Sequence, residues 1–382
     1  YTENLRTARA TDYYTLSGEE NSDSIWEPRF TFHGFRYVEL ANLPAGFSPD
    51  KETVTGIVLQ SDTPLTGEFS CSEPLLNQLQ SNIQWSQRGN FLEIPTDCPQ
   101  RDERQGWTGD AQIFIRNACF NMDVNGFFAK WQDDLADAQR FDGAVPAVIP
   151  DAGIIHDPRP EVKFHPGDAG PAWSDAIVIC PWTIYRCYGD TRILERHYEE
   201  LKLYVRYLES ISIDLIRSHY LHNNWGGFGD WLAMDCLGKN HLTPTPKDLI
   251  GTAYFARVTS YLSDIAKLLG RKEESCHFAD LRKRIVEAFN REFVSPSGRV
   301  QGNNQTSYLI ALAFDMLPED RRENALKHLL KCFEWHEWHI STGFVGTPLV
   351  CPTLSRFGKL EEAYRVLLQK TYPGWLYSVL QG

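Results

Sequence analysis

The sequence predicts a mainly helical protein in which paired helices close into a toroidal barrel, preceded by a short β-rich segment. Strand-like patterns are confined to the first 70 residues, and about ten helical patterns follow from residue 71 onward. Many of these are joined by long loops rich in Gly, Pro, Trp and Asp. A chain of 382 residues exceeds the usual size of one hydrophobic core, so we expect two domains, 1–70 and 71–382.

The first 70 residues have the composition of strands. RFTFHGFRYVEL and TVTGIVLQSDTPLTGEF are rich in aromatic and β-branched residues and are separated by a loop that contains Pro, Gly and Asn. A β-sandwich needs two sheets to bury its inner faces, and these strands are too few to supply both. We therefore expect the last part of a β-sandwich domain.

The helical region begins with SEPLLNQLQSNIQWSQRGNFLE, where Ser72 is the expected N-cap and Leu75, Leu79, Ile83 and Trp85 lie along one stripe. Further helical patterns lie at 110–123, 126–140, 173–189, 190–211, 249–270, 272–293, 304–317, 318–335 and 359–371. Asp190, Gly270 and Pro318 are typical of helix ends. An open helical solenoid is the alternative, but no repeat of fixed period occurs. In a closed barrel the long loops would gather at one end as a binding face.

Charge and cysteine usage restrict the partners. The net charge of -12 disfavours nucleic acid and anionic membranes, and no apolar run reaches the ~18 residues of a membrane-spanning helix. The nine Cys show no C-x-x-C pair and no ligand spacing, so we expect mostly buried thiols, no metal and no cofactor. Such thiols favour a reducing compartment, and hence a cytoplasmic location over a periplasmic or secreted one. The oligomeric state stays open.

Four loops share Trp, Gly and polar residues: TDCPQRDERQGWTGD, PGDAGPAWSDA, NNWGGFGDWLAMD and EWHISTGFVGTP. Helix capping explains a single acid such as Asp175 or Asp190. It does not explain the first loop, in which four acids and two Arg surround Trp107. These residues fit a structural ion-pair network, and they also fit a catalytic site.

A sugar ligand would need carboxylates and a guanidinium for its hydroxyls, an aromatic face for its C–H groups, and two carboxyls about the glycosidic bond. Asp97, Arg101, Asp110 and Trp107 meet the first two needs, and Glu103 is a candidate for one of the carboxyls. No G-x-S-x-G, H-E-x-x-H or Walker motif occurs. His336 and His339 form the one His pair of interest, and such pairs are more often packing or hydrogen-bonding residues.

The run DCPQRDERQGWTGDAQIF resembles the signature of the α-L-rhamnosidases of glycoside hydrolase family 78. TENLRTARATDYYTLSG and FTFHGFRYVEL resemble the β-sandwich that precedes the catalytic domain in this family. PAWSDA, FGDWLA, QTSYLIAL, HISTGFVGTP and TYPGWLYSVLQG resemble later segments of its (α/α)6 barrel. Several motifs in the correct order are more specific than any one of them.

The resemblance implies an inverting hydrolase that releases terminal L-rhamnose from plant glycosides or pectic oligosaccharides. It implies Glu103 as the general acid. It also implies that substrate is held by Asp97, Arg101, Trp107, Asp110, Trp173, Trp231 and His339. The family's general base lies in a segment that would directly follow Gly382, so we expect the base, the end of the barrel and a C-terminal β domain to lie beyond the given residues. The resulting expectation is that the 382-residue fragment alone is inactive or nearly so.

Two alternatives remain at this point. Another (α/α)6 glycosidase, of the glucoamylase or trehalase type, would share the Trp-rich loops but gives no reason for the D-C-P-Q-R-D-E-R run. A non-catalytic sugar-binding barrel would follow if the chain naturally ends at Gly382.

Overall fold

The computed structural model describes residues 2–16, 18, 25–153, 170–217, 227–236 and 244–382. Within these ranges the helices are α1 (Pro74–Asn90), α2 (Thr108–Asn121), α3 (Asn125–Ala138), α4 (Ala176–Tyr188), α5 (Arg192–Ser210), α6 (Lys247–Leu268), α7 (Lys272–Phe293), α8 (Gln305–Ala313), α9 (Glu319–Trp335), α10 (Val350–Arg356), α11 (Leu360–Leu367) and α12 (Trp375–Leu380). Two short strands, β1 (Phe91–Leu92) and β2 (Ile94–Pro95), pair antiparallel just before the charged loop. Short 3-10 turns lie at Glu3–Leu5, Met234–Cys236 and Thr347–Leu349.

The helices form two layers. Helices α2, α4, α6, α8 and α10 contact one another in succession, while α3, α5, α7, α9 and α11 pack against them. The first and last helices, α1 and α12, also touch, and Gln80 of α1 donates to Asn121 of α2 at 2.8 Å. This arrangement confirms the predicted barrel of paired helices.

The burial pattern of each helix explains its layer. In α8 every residue from Gln305 to Leu312 is buried, which suits a helix surrounded by neighbours. In α5 the buried residues recur at helical spacing, as at Ile193, His197, Leu201 and Tyr204, and the opposite face is polar. The most extensively buried helices, such as α6 and α8, therefore lie in the inner layer, and amphipathic helices such as α5 cover them.

Each predicted helical pattern contains a helix, although two details were wrong. Glu73, and not Ser72, caps α1, because its side chain accepts a hydrogen bond from the Leu75 N–H at 3.2 Å. Trp85 is 55% exposed and lies under the guanidinium of Arg88 instead of on the buried stripe. Helices α10 and α12 were missed because fewer than two turns carry little periodic signal.

The strands predicted in the first 70 residues are absent from the described part of that segment. The chain is extended there, with one bridge from Leu65 to Met122, and apolar side chains such as Phe35, Tyr37 and Ile57 are exposed. A strand exists only when its backbone pairs with a neighbour, and the described residues supply none. The β-sandwich assignment and the 1–70 and 71–382 boundaries therefore stay predictions.

A buried ion pair joins the loop before α4 to α5 and to the segment that follows α5. Asp175 is fully buried, and its carboxylate accepts from Arg217 at 3.1 and 3.2 Å, from the Tyr204 hydroxyl at 3.0 Å and from the Ala172 N–H at 2.7 Å. The capping interpretation is wrong for Asp175, which makes no side-chain bond to its helix end. It holds for Asp190, whose side chain accepts from the Arg192 N–H at 3.0 Å.

All nine Cys are free thiols, but the expectation that most of them are buried is wrong. Four are buried (Cys98, Cys119, Cys180 and Cys236), two are half-buried (Cys332 and Cys351) and three are exposed (Cys71, Cys187 and Cys276). Among the described residues no helix is both long and apolar enough to cross a bilayer.

Asp175→Ala should lower the free energy of unfolding by about 3–5 kcal/mol, because it removes the carboxylate that pairs with the buried Arg217 guanidinium. The matched control is Asp190→Ala, which removes a half-buried cap and should cost about 1 kcal/mol. Urea denaturation followed by circular dichroism measures both. Similar losses in the two variants would show that the Asp175 ion pair contributes little beyond a cap.

Candidate active site

The charged loop is closed on itself by Asp97. The backbone N–H of Asp97 donates to the Gln105 carbonyl at 3.0 Å, and the Gln105 N–H donates back to Asp97 Oδ1 at 2.8 Å. Beyond this closure, the Ile149 N–H donates to the Gly106 carbonyl at 2.8 Å and the Thr108 N–H to the Ala147 carbonyl at 2.9 Å. These backbone bonds fix the end of the loop to the barrel at the start of α2.

Glu103 is held by three donors. Its Oε1 accepts from the Trp107 indole N–H at 3.0 Å, and its Oε2 accepts from Arg6 at 2.8 Å and lies 2.9 Å from the Arg101 guanidinium. Because Glu103 precedes Trp107 by four residues within a turned loop, the indole can reach back to it. The carboxyl is only partly covered, with 22% of its side chain exposed, so a substrate can reach it.

Arg101 links Glu103 to the rest of the loop. Its Nε donates to Cys98 Sγ at 3.1 Å, and its Nη2 lies 3.5 Å from Asp97 Oδ2. The Cys98 thiol donates to Asp97 Oδ2 at 3.0 Å, and burial together with that carboxylate raises the pKa of the thiol. The predicted group of Asp97, Arg101 and Glu103 is thus one connected network.

Asp110 lies in the first turn of α2, beside this network. Burial, and then the negative charge of Asp97, raises the pKa of Asp110 to about 7. The charge of Glu103 acts in the same direction, and the backbone N–H of Asp110 itself opposes it. Near neutral pH this carboxyl is therefore partly protonated and can either donate or accept a hydrogen bond.

Aromatic rings from all four Trp-containing loops meet beside this network, in an aromatic cluster formed by Trp107, Trp173, Phe228, Trp231 and Phe344. The Phe228 ring lies 5.6 Å from Trp107, 4.6 Å from Trp173 and 5.7 Å from Trp231 between centroids. Phe344 stacks on Trp173 at 6.0 Å. The prediction that the long loops gather at one end is confirmed for their described residues.

The three predicted Trp residues differ in exposure. Trp173 is 2% exposed and packs against Gly109, where an added Cβ would lie 2.4 Å from the indole ring. Trp107 and Trp231 are half-buried and so present part of their surface. Trp173 therefore lies beneath the surface of the aromatic cluster, whereas Trp107 and Trp231 form part of that surface.

His339 lies in a different cleft. Its Nε2 is 2.7 Å from Thr371 Oγ1 and its Nδ1 is 3.1 Å from the His336 carbonyl oxygen. The cleft has a volume of about 350 Å³ and is also lined by Asp235 and Tyr372. These bonds are what the hydrogen-bonding interpretation of the His pair predicts, and the role of His339 in substrate binding stays a prediction.

Sequence reasoning missed three contributors to the site. Phe228 and Phe344 lie in two of the four Trp-containing loops, but the sequence does not distinguish a Phe at these positions from a core residue. Asp230 is buried and accepts from Thr306 Oγ1 at 2.5 Å and from the N–H groups of Gly343 and Val345, both at 2.8 Å. Burial raises the pKa of Asp230, while these donors act against that shift. Asp230 thus ties the loop of Trp231 to the loop of Phe344.

The ligand atoms of Asp97, Cys98 and Glu103 lie within 4.8 Å of one another, a grouping that can suit a metal ion. The Arg101 guanidinium contacts all three side chains. A cation there would have to displace that positive charge, so the residues fit an ion pair better than a metal centre.

A double layer of paired helices with acidic and aromatic loops at one end fits the class of a helical-barrel glycosidase. Residues 64–382 match the model of the bacterial alpha-L-rhamnosidase 6 hairpin glycosidase domain, and residues 1–60 match that of the bacterial alpha-L-rhamnosidase concanavalin-like domain. The chain belongs to the bacterial α-L-rhamnosidase family, as the resemblance implied.

Known relatives align along the whole chain. An alpha-L-rhamnosidase of Formosa agariphila is 42% identical over 100% of this chain and 39% of its own length, and one of Streptomyces avermitilis is 41% identical over 100% and 34%. The S. avermitilis enzyme has been solved in complex with L-rhamnose and superposes with a TM-score of 0.90. The native enzyme of Aspergillus terreus, 35% identical, also gives 0.90 over 100% of this chain and 43% of that one. The chain thus spans well under half the length of these relatives.

Gly109→Ala should displace the Trp173 indole and lower the free energy of unfolding by about 1–3 kcal/mol, the usual cost of overpacking a close-packed region. Gly126→Ala is the matched control, because Gly126 also lies in the first turn of a helix and an added Cβ there meets nothing within 4 Å. Urea denaturation followed by circular dichroism compares the two variants. Equal stabilities would mean that the packing around Trp173 accommodates an added methyl group.

Asp110→Asn should stabilise the protein increasingly as pH rises. The pKa of Asp110 is higher in the folded protein than the ordinary 3.8, so its contribution to stability is fully present below pH 3.8 and is lost as pH rises through about 7. Asn stays neutral throughout, so the melting temperature of the variant should exceed that of the wild type above about pH 7 and match it below pH 3.8. Asp137→Asn, on the exposed face of α3, corrects for the change in net charge. A difference in melting temperature that does not vary with pH would contradict the raised pKa.

Proposed function

We propose that this chain carries the catalytic site of an inverting α-L-rhamnosidase that releases terminal L-rhamnose from a glycoside or oligosaccharide. The observation that carries the proposal is the position of Glu103. Its carboxylate accepts a hydrogen bond from the Trp107 indole beside the aromatic cluster, and 22% of its side chain is exposed. The superposition on a relative complexed with L-rhamnose supports the choice of sugar.

Glu103 is proposed as the general acid. In glycoside hydrolysis the acid gives its proton to the glycosidic oxygen as the bond to the sugar carbon breaks. The Trp107 indole N–H fixes Oε1, while Arg6 and Arg101 meet at Oε2. Both Arg side chains are more than one-third exposed, so either can move when a substrate enters.

The rhamnosyl ring is proposed to lie between the acidic network and the aromatic cluster. Asp97, Arg101 and Asp110 offer acceptors and a charged donor for its hydroxyls, and Trp107 and Trp231 offer apolar surface for its C–H groups and methyl group. Asp97 Oδ1 is committed to the loop closure, so its Oδ2 is the oxygen that is proposed to serve the sugar.

Inversion requires a second carboxylate that activates water on the opposite face of the sugar, typically about 6.5–9.5 Å from the acid. The position of this base after Gly382, implied by the resemblance, stays a prediction. None of the site carboxylates described above is assigned to that role.

Glu103→Gln in the full-length protein should lower kcat on alkyl rhamnosides by roughly 10²–10⁴-fold, because general acid catalysis typically contributes that factor. The loss should be much smaller on p-nitrophenyl α-L-rhamnoside, whose leaving group needs little protonation. Steady-state kinetics on both substrates measures the difference. Glu323→Gln, an exposed residue of α9, is the control for loss of a carboxylate.

An equal loss of activity on alkyl and aryl rhamnosides would argue against Glu103 as the acid. Hydrolysis of p-nitrophenyl α-glucoside in place of the rhamnoside would favour a different barrel glycosidase.

A further inference from the structure

The N-terminal region, residues 1–60, contacts the charged loop at the proposed acid. Arg6 Nε donates to Asp102 Oδ1 and Arg6 Nη2 donates to Glu103 Oε2, both at 2.8 Å. Residues 1–60 match a different domain model from residues 64–382, so this guanidinium comes from the part of the chain that precedes the barrel domain. Glu103 is therefore in direct contact with a residue from outside that domain.

Asp102 anchors Arg6. Its second oxygen, Oδ2, accepts from the Thr7 N–H at 3.3 Å and from the Thr7 hydroxyl. The hydrogen bond from the Thr7 hydroxyl lowers the pKa of Asp102, partial burial acts against that shift, and Arg6 adds to it. Asp102 therefore stays a carboxylate near neutral pH, and both of its oxygens bind the N-terminal region.

The backbone at Arg6 is strained. Its φ is 53°, in the left-handed region that residues with a side chain rarely adopt. Arg6 ends the 3-10 turn Glu3–Leu5, and its N–H donates to the Glu3 carbonyl at 3.1 Å. Strained positions of this kind cluster at functional sites, where surrounding bonds hold them. The two charge-assisted bonds from the Arg6 guanidinium are such bonds.

The N-terminal region also contacts the loop before and after Glu103 in sequence. Arg104 donates to the Phe32 carbonyl at 2.9 Å, and its guanidinium lies over the Phe32 ring at 4.7 Å from the centroid. Gly34 lets the two segments touch, because a Cβ there would lie 2.8 Å from the Cβ of Gln100. The backbone on both sides of the acid is therefore packed against residues 32–34.

The two oxygens of Glu103 meet different charges. The guanidinium groups of Arg6 and Arg101 both lie at Oε2, whereas Oε1 accepts from the neutral indole N–H of Trp107. A proton on Glu103 is disfavoured at the oxygen that faces two cations, so it is favoured at Oε1. Because Asp102 supplies a second carboxylate, Arg6 keeps a counter-charge when Glu103 is protonated.

We propose that Arg6 is a positioning residue for the general acid. Asp102 and Thr7 hold its guanidinium, and the guanidinium holds Oε2 of Glu103, which leaves Oε1 to carry the proton. The N-terminal region thereby completes the catalytic site of the barrel domain. This inference rests on the proposed function of Glu103.

Arg6→Ala in the full-length protein should lower kcat on methyl α-L-rhamnoside by about tenfold, the usual value of a charge-assisted hydrogen bond. On p-nitrophenyl α-L-rhamnoside kcat should change little, because that leaving group needs little protonation. KM should stay near the wild-type value on both substrates, because the ion pairs of Arg6 go to Asp102 and Glu103 and not to the groups proposed to hold the sugar. Steady-state kinetics separates the two parameters.

A double-mutant cycle tests the link through Asp102. Asp102→Ala should lower kcat on methyl α-L-rhamnoside to a similar extent, because it removes the anchor of Arg6. In the Arg6→Ala background it should have little further effect, since residues that act as one unit are not additive. Arg6→Lys keeps one charged donor and should recover part of kcat. Arg29→Ala removes an exposed Arg of the N-terminal region that forms no ion pair with any described residue, and it should behave as the wild type.

A wild-type kcat on methyl α-L-rhamnoside in Arg6→Ala, equal losses on the alkyl and aryl substrates, or independent losses that multiply in the double variant would overturn the positioning role. Failure of Glu103→Gln to distinguish the two substrates would instead overturn the proposed function, and the inference with it. Melting temperatures of all variants establish that each is folded.

Discussion

The carboxylate of Asp97 closes the loop on which the whole candidate site depends. One of its oxygens binds the Gln105 N–H, and the residues that follow are fastened to the backbone at 147–149. Without that closure, Glu103 would not be held within reach of the Trp107 indole, and Arg101 would not bridge the two acids. Asp97, which the sequence predicts as a sugar ligand, therefore also stabilises the local structure of the loop.

Buried carboxylates also hold loops in place elsewhere in the barrel. Asp230 joins the loops of Trp231 and Phe344 through backbone N–H groups, and Asp175 joins the loop of Trp173 to Arg217 and Tyr204. Each costs desolvation, which multiple donors offset. These acids bring the ends of separate helical hairpins to fixed positions, so that rings distant in sequence can form one surface.

The helices were predictable because their apolar residues recur at helical spacing, as in α5 and α7, and because Gly270 and Pro318 mark ends. The prediction of strands in the first 70 residues is wrong for the described part of that segment, because composition at residues such as Ile57 indicates a preference for β structure but not whether a partner strand is present. In the site, residue types identified Asp97, Arg101, Glu103, Trp107 and Asp110 as a group. The contributions of Phe228, Asp230 and Arg6 depend on contacts between distant segments, which one sequence does not encode in any local pattern.

The electrostatics beside the aromatic cluster bear on selectivity. Burial, and then the charge of Asp97, raises the pKa of Asp110 to about 7, so a further negative charge at this position is disfavoured. An acidic sugar placed beside these carboxyls would lose hydration and meet like charges, whereas a neutral sugar that presents C–H groups to the aromatic rings would not. The burial that the aromatic cluster provides and the charge of Asp97 therefore act together, and both favour a neutral ligand.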